Sequence, residues 1–239
     1  ARSTPGFVGA DLENLVNEAA ILSARRNKKI IGQDEFEESI ERVIAGPERK
    51  SRLINSKEKK IIAYHEAGHA IVLNALPEGD PVQKVSIISR GMMGGFTRAM
   101  PTEDLSLESR KKLMADMVGL LGGRAAEEIM FDDITSGASS DIERVTKLAR
   151  SMVTRLGMSE KLGPMVYGQK EEMVFLGREI SEQRDYSEAV AQEIDREVQS
   201  AVNLAYQTAK DILVTHKDKL IQIEEKLLEV ETISHEEFE

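Results

Sequence analysis

Apolar residues recur three or four positions apart along most of the chain, which is the spacing of one face of an α-helix. Near the start, this spacing links Leu12, Leu15, Val16, Ala19 and Leu22. A second apolar face follows Asp34, a residue type suited to a helix N-cap, and stops at Gly46-Pro47. Further helices are predicted over residues 57–76, 106–130, 140–155, 187–215 and 219–229. The pattern therefore predicts a mainly α fold.

Residues 82–100 depart from the helical spacing and predict a small β hairpin. Residues 82–88 and Phe96–Met100 have strand patterns, and the glycine-rich run between them predicts a turn. An exposed edge of such a hairpin is suited to pairing with an extended peptide. Residues 157–184 hold several glycines and short apolar runs, which predict irregular structure with one short strand at most.

The composition limits the partners and the chemistry of the chain. With a net charge of −10, the 239 residues are not expected to bind nucleic acid or an anionic membrane surface. The absence of cysteine excludes disulfides and thiolate metal sites, so a metal must use His, Asp or Glu. The longest apolar stretch, residues 70–76, is far shorter than the roughly 20 residues that span a bilayer. The chain begins without methionine, and we expect it to be part of a longer protein.

The predicted helix over residues 57–76 carries the sequence His65-Glu66-Ala67-Gly68-His69. Histidines four positions apart lie one turn apart on one helix face, so both imidazoles can bind one zinc ion. Glu66 points roughly 100° around the helix, where a carboxylate can act as a general base rather than a ligand. A glycine inside a helix lowers helix stability by about 1 kcal/mol relative to alanine. The presence of Gly68 in this helix therefore indicates a close approach of another backbone or of a substrate.

A catalytic zinc site needs a third protein ligand, and two downstream carboxylates compete for that role. Glu128 begins an ExxxD pattern that ends at Asp132, as in the second ligand helix of thermolysin-like enzymes. Asp141 follows a turn rich in glycine and serine at the start of a predicted helix. Spacing alone does not choose between them. No third histidine follows closely, which excludes the HExxHxxGxxH pattern.

Several longer motifs resemble the FtsH family of ATP-dependent zinc metalloproteases. The resemblance runs from Thr4 nearly to the end of the chain, and its motifs are HEAGHA, GGRAAEE, TSGASSDIERVTKLA, RLGMSEKLGP and FLGRE. It implies one Zn²⁺ per chain, bound by His65, His69 and Asp141, with Glu66 as the catalytic residue. By the same resemblance, Glu128 is not a ligand.

The opening motifs, TPGFVGADLENLVNEAA and DEFEESIERVIAGPE, resemble the helical lid of an AAA ATPase module. In such lids, Gly9 and Ala10 lie where the lid approaches the nucleotide. The chain has no GxxxxGKS/T phosphate-binding loop, so ATP is expected to be required by the full-length protein but not bound by this part. The implied fold is mainly α: a short helical AAA-type lid remnant at 1–46, a linker at 47–56, and a helical metalloprotease domain with a small β hairpin at 57–239.

The resemblance implies a zinc-dependent endopeptidase that degrades unfolded or misfolded proteins. The full-length protein would be a homohexamer, anchored through a missing N-terminal segment at the cytoplasmic face of the inner membrane, whereas this part would be soluble. Nucleic acid is not an expected partner. The alternative is a non-catalytic assembly module of an AAA ring, stabilised by zinc. Glu66 discriminates between the two, because a closed structural site has no use for a carboxylate beside an open coordination position.

Overall fold

The computed structural model describes Thr4 and residues 6–48, 55–91, 93–101, 107–168 and 185–238. Its helices are α1 (Gly9–Arg25), α2 (Gln33–Ala45), α3 (Ser56–Ala75), α4 (Arg110–Phe131), α5 (Ser139–Thr154), α6 (Glu188–Thr215), α7 (Lys217–Val230) and α8 (His235–Phe238). Its strands are β1 (Val82–Ser86), β2 (Phe96–Ala99) and β3 (Thr232–Ser234). The predicted mainly α fold is confirmed. None of the described helices has both the length and the apolarity needed to cross a membrane.

Some predictions fall outside the described residues. These are most of the predicted linker, Met92 in the hairpin turn, the start of the predicted helix at Ser106, and the motif FLGRE within residues 169–184. The predicted domain boundaries at 46 and 56 stay predictions.

The described residues form two compact units, and each is described by itself. The first unit takes its residues from Ala1–Ala67, Asp80–Asp104 and Ile221–Glu239, and the second from Gly68–Gly79 and Leu105–Leu220. The division falls within α3, which is nevertheless one uninterrupted helix.

In the first unit, α1 and α2 pack against each other and the three strands form one antiparallel sheet. The helix pair buries Leu15, Ala19, Leu22 and Ile40. The strand order is β2-β1-β3, so β1 is central. Val85 of β1 pairs with Thr97 of β2 on one side and with Ile233 of β3 on the other. The sequence predicted only the β1–β2 hairpin, because three residues are too few for β3 to show an alternating pattern.

In the second unit, α4, α5 and α6 pack around a core of long apolar side chains. The fully buried members of this core include Met117, Val145, Ile194 and Leu213. Gly68 of α3 lies against Gly122 of α4, and a Cβ atom added to Gly68 would be 2.4 Å from the Gly122 carbonyl oxygen. The predicted close approach of another backbone to Gly68 is therefore confirmed.

The start of α2 differs from its prediction. Asp34 lies inside the first turn, whereas the N-cap is Gly32. The carboxylate of Glu35 accepts a hydrogen bond from the Gly32 amide at 3.1 Å and supplies the cap from inside the helix. A side chain of the N-cap residue is then not required, which is why the prediction of Asp34 as N-cap was wrong.

Candidate metal centre

Helix α3 presents the two histidines of the HEAGH motif on the same face, one turn apart. His65 and His69 are both buried, each with 9% of its surface exposed. The neighbouring positions Ala63, Ala67 and Ala70 are fully buried. These small side chains allow this part of α3 to be buried, and the imidazoles are among the polar groups buried with it. Burial of imidazoles requires polar partners.

A backbone carbonyl of α4 sets the orientation of the His69 ring. The Nδ1 atom of His69 lies 2.8 Å from the carbonyl oxygen of Gly119. Because a carbonyl can only accept, Nδ1 must donate, and the neutral ring then carries its lone pair on Nε2. Metal-binding histidines use this arrangement to fix the ring and its tautomer.

Asp141 lies in the first turn of α5 and faces this nitrogen. Its Oδ2 atom is 3.4 Å from His69 Nε2, and 15% of its side chain is exposed. A short 3-10 turn, Ser136–Ala138, leads into α5. The hydroxyl of Thr135 accepts a hydrogen bond from the Gly137 amide at 3.1 Å and closes this turn. The turn thus determines where α5 begins, and thereby the position of Asp141 in its first turn.

Glu127 is hydrogen-bonded to the start of the same turn, although the sequence did not indicate this role. Its side chain is 1% exposed, and its Oε2 atom accepts a hydrogen bond from the Thr135 amide at 2.7 Å. The only signal in the sequence was the pair Glu127-Glu128, which does not indicate which member faces inward. At about 100° per residue, the helical spacing from Leu113, Met117 and Ala125 places Glu128 within the predicted apolar face and Glu127 at its border, so the spacing does not indicate that Glu127 is the buried member.

The structure brings His65, His69 and Asp141 together. Each offers one ligand atom, and these atoms lie within 4.8 Å of one another. Two imidazoles and a carboxylate form a donor set that zinc accepts, and three protein ligands leave a fourth position for water or substrate. A tetrahedral site with ligand distances near 2.0–2.1 Å has ligand atoms about 3.4 Å apart. The separation between His69 Nε2 and Asp141 Oδ2 fits that value, so the residues present suit a zinc ion.

Glu128 lies outside this cluster and is engaged with α6. It accepts hydrogen bonds from Lys210 Nζ at 2.7 Å and from the hydroxyl of Tyr206. The hydrogen bond from Lys210, together with that from Tyr206, holds the pKa of Glu128 below its usual value. Burial, together with the neighbouring Glu128, raises the pKa of Tyr206 to about 12. Glu128 therefore contributes to packing between α4 and α6 and is not among the groups facing the histidines.

Glu66 follows His65 on α3 and is buried, with 6% of its surface exposed. The Thr97 hydroxyl on β2 lies 2.8 Å from Glu66 Oε2. Thr97 had no recognisable signal in the sequence, because it lies 31 residues from Glu66 and on a different kind of element.

Sequence comparisons identify the family of the chain. The profile of peptidase family M41 matches residues 52–239, and that of the AAA+ lid domain matches residues 1–38. An ATP-dependent zinc metalloprotease FtsH 1 from Thermomicrobium roseum is 59% identical over the whole chain. The ATP-dependent zinc metalloproteases FtsH of Kosmotoga olearia and Thermotoga maritima are 58% and 56% identical over 99% of the chain. The chain spans only 37–39% of the length of these curated relatives.

Proposed function

This chain belongs to peptidase family M41, as its motifs indicated, and on that premise we propose that it is a zinc-dependent endopeptidase. The observation that carries the proposal is that the ligand atoms of His65, His69 and Asp141 lie within 4.8 Å of one another, with Glu66 next to His65 in α3. Three ligands with a neighbouring carboxylate are the arrangement of a catalytic zinc site rather than a closed structural one.

His65, His69 and Asp141 would hold the zinc ion. When bound, zinc would act as a Lewis acid that polarises the scissile carbonyl and acidifies a coordinated water. The contact of His69 with the Gly119 carbonyl keeps the His69 ring in the required tautomer, with Nε2 towards Asp141. The Glu127 carboxylate supports the turn that leads into α5, the helix that carries Asp141 in its first turn.

Glu66 would act as the general base and then as the general acid. Its carboxylate would accept a proton from the attacking water and deliver that proton to the nitrogen of the leaving amine. Such transfer requires a carboxylate that is held in one orientation within hydrogen-bond reach of the reacting atoms. The buried position of Glu66 and its contact with Thr97 support the first part of this requirement, a carboxylate held in one orientation.

Strand β2 is our candidate for binding the substrate. In the strand order β2-β1-β3, the outer edge of β2 pairs with no other strand among the described residues. An extended peptide can add to such an edge through main-chain hydrogen bonds, which read little of its side-chain sequence. Unfolded or misfolded proteins, which offer extended segments, are therefore the proposed substrates.

The proposal extends to the whole protein on the strength of the family and the relatives' names. Residues 1–46 would be part of an AAA-type lid, residues 47–56 a linker and residues 57–239 the protease domain. The full-length protein would require ATP, assemble as a homohexamer and be anchored at the cytoplasmic face of the inner membrane through a segment outside this chain.

Substitution of Glu66→Gln tests the proposed chemistry. The variant should keep one zinc ion per chain but lose cleavage of casein, because the amide cannot accept the proton from water. Zinc content by elemental analysis and casein fragmentation by gel electrophoresis provide the measurements. Glu58→Gln, at the start of the same helix, is the matched control and should cleave normally.

Two results would count against the proposal. Normal cleavage by Glu66→Gln would remove Glu66 from the mechanism. A wild-type chain that contains zinc, unfolds when a chelator removes it and never cuts casein would instead support the non-catalytic assembly module.

A further inference from the structure

Strand β2 contacts the proposed base directly, through the hydroxyl of Thr97. The Oγ1 atom of Thr97 lies 2.8 Å from Glu66 Oε2 and 3.0 Å from the Glu66 carbonyl oxygen. The hydroxyl has one proton to donate to these two acceptors. The carbonyl lies inside α3, where the helix already provides a donor, and an ionised carboxylate is the stronger acceptor. The Thr97 hydroxyl therefore donates its proton to Glu66 Oε2 rather than to the Glu66 carbonyl oxygen.

Gly95, the residue just before β2, lies close to the stem of the Glu66 side chain. A Cβ atom added to Gly95 would lie 3.0 Å from Glu66 Cγ, 2.9 Å from Ile62 Cγ2 and 2.7 Å from the Ser86 carbonyl oxygen. A glycine is needed here because the strand passes so close to α3. The stem of Glu66 is thus restricted by backbone on one side, and its carboxylate is held by Thr97.

Thr97 is itself held firmly. It pairs with Val85 across the sheet, and Val85 is completely buried. A β-branched side chain in a strand has few rotamers available, so the hydroxyl of Thr97 stays in place with little loss of side-chain entropy. Thr97 is a rigid donor, in contrast to a longer side chain that would reach Glu66 through several rotatable bonds.

We propose that Thr97 is a positioning residue that fixes the orientation of the Glu66 carboxylate by donating a hydrogen bond to Oε2. This inference rests on the proposed function, in which Glu66 is the base. Strand β2 would then have two roles, because the strand proposed to pair with the substrate would also orient the Glu66 carboxylate that transfers the proton. The distance between the base and a peptide bound on β2 would then be set by one element.

Substitution of Thr97→Val removes the hydroxyl and keeps the shape of the side chain. We expect kcat for a peptide substrate to fall about tenfold or more, with KM and zinc content unchanged, because a displaced base transfers protons poorly without weakening binding. Thr97→Ser should restore most of kcat. Thr232→Val is the matched control: it removes the same group from β3 of the same sheet, where the Thr232 hydroxyl lies 2.8 Å from the Ser86 hydroxyl.

A measurement on the metal-free chain separates this inference from the proposed function. The carboxyl carbon resonance of Glu66, identified by its loss in Glu66→Gln, should move in Thr97→Val and stay in place in Thr97→Ser and Thr232→Val. An unmoved resonance in Thr97→Val would overturn the inference, as would an unchanged kcat, or equal losses in Thr97→Val and Thr232→Val. If wild type and Glu66→Gln were equally active, the proposed function would fail, and the resonance alone would still decide whether Thr97 orients Glu66.

Discussion

At the scale of single residues, the groups available to bind a metal depend on which side-chain atoms already form hydrogen bonds within the protein. His69 uses Nδ1 for the Gly119 carbonyl, which directs Nε2 towards Asp141. Glu128 uses both carboxylate oxygens for Lys210 and Tyr206 of α6. Two carboxylates that spacing treats as equal therefore have different chemistry, because only Asp141 faces a histidine nitrogen.

Substitution of the two competing carboxylates tests this difference. Asp141→Ala should lose most of its bound zinc, since two histidines alone bind zinc poorly. Glu128→Ala should keep one zinc ion per chain, although loss of its contacts with α6 should lower thermal stability. Zinc content after dialysis against a weak chelator provides the measurement. The opposite outcome, with zinc lost only in Glu128→Ala, would transfer the third ligand position to Glu128.

At the scale of elements, the sequence predicted the long helices well and the short or capped features poorly. Apolar spacing located α6 almost to the residue, and Ser187 caps it as expected for a helix start. It missed β3, whose three residues are too short to show a period, and misplaced the cap of α2, which Glu35 provides from within the helix. Periodicity reports on burial over several turns, whereas these features depend on contacts of one or two residues.

The candidate site shows the same limit. The HEAGH motif predicts His65, Glu66 and His69 as a group, because a helix fixes their spacing. Asp141 could not be distinguished from Glu128 without the resemblance to a family, since the chain between α3 and α5 can fold in many ways. Thr97 and Glu127 stayed unrecognised, because their roles depend on tertiary contacts rather than on local pattern.

The approach of α3 to α4 at Gly68 gives a prediction at this scale. Helix propensity alone favours Gly68→Ala by about 1 kcal/mol. The added Cβ would be 2.4 Å from the Gly122 carbonyl oxygen and 2.7 Å from Ala126 Cβ, so the two helices must separate. Overpacking of this kind typically costs about 1–3 kcal/mol, and here the obstacle includes rigid backbone. We expect net destabilisation of about 2 kcal/mol, together with weaker zinc binding.

Gly9→Ala, in the first turn of α1, is the matched control for this substitution. A Cβ atom at Gly9 would meet nothing within 4 Å. The control should therefore leave stability unchanged or raise it by less than about 1 kcal/mol. Urea unfolding of the metal-free variants measures the stability of both, and a stabilised Gly68→Ala would show that α3 and α4 are not closely packed.

At the scale of the whole molecule, acidic residues outnumber basic ones, and some of the carboxylates are buried. The contribution of each buried carboxylate to the free energy of unfolding depends on the groups that pair with it. Glu35 is fully buried, and its carboxylate binds Lys28 at 2.7 Å and Arg26 at 2.8 Å. The hydrogen bond from Lys28, followed by that from Arg26, lowers the pKa of Glu35 to about 2. Glu224 is also buried, but its burial outweighs the neighbouring Lys60 and raises its pKa. The two carboxylates therefore contribute to stability with opposite signs.

The pH dependence of unfolding tests these signs. A lowered pKa means that Glu35 stabilises the fold fully above its unfolded pKa, near 4.3, and that this contribution is lost as the pH falls towards 2. Glu35→Gln should therefore unfold at a lower temperature than wild type at pH 7, and the difference should shrink between about pH 4.3 and 2. A difference that did not change with pH would show that the Glu35 charge is not stabilised by its neighbours.

Glu224→Gln is the comparison of opposite sign. A raised pKa means that the ionised Glu224 opposes folding, and that this effect is absent below its unfolded pKa and develops as the pH rises through its folded pKa. The glutamine variant should therefore unfold at a higher temperature than wild type at pH 7 and at a similar temperature near pH 3. If both glutamine variants shifted the unfolding temperature in the same direction at pH 7, general charge repulsion in this acidic chain would explain the data better than the pairing of individual carboxylates.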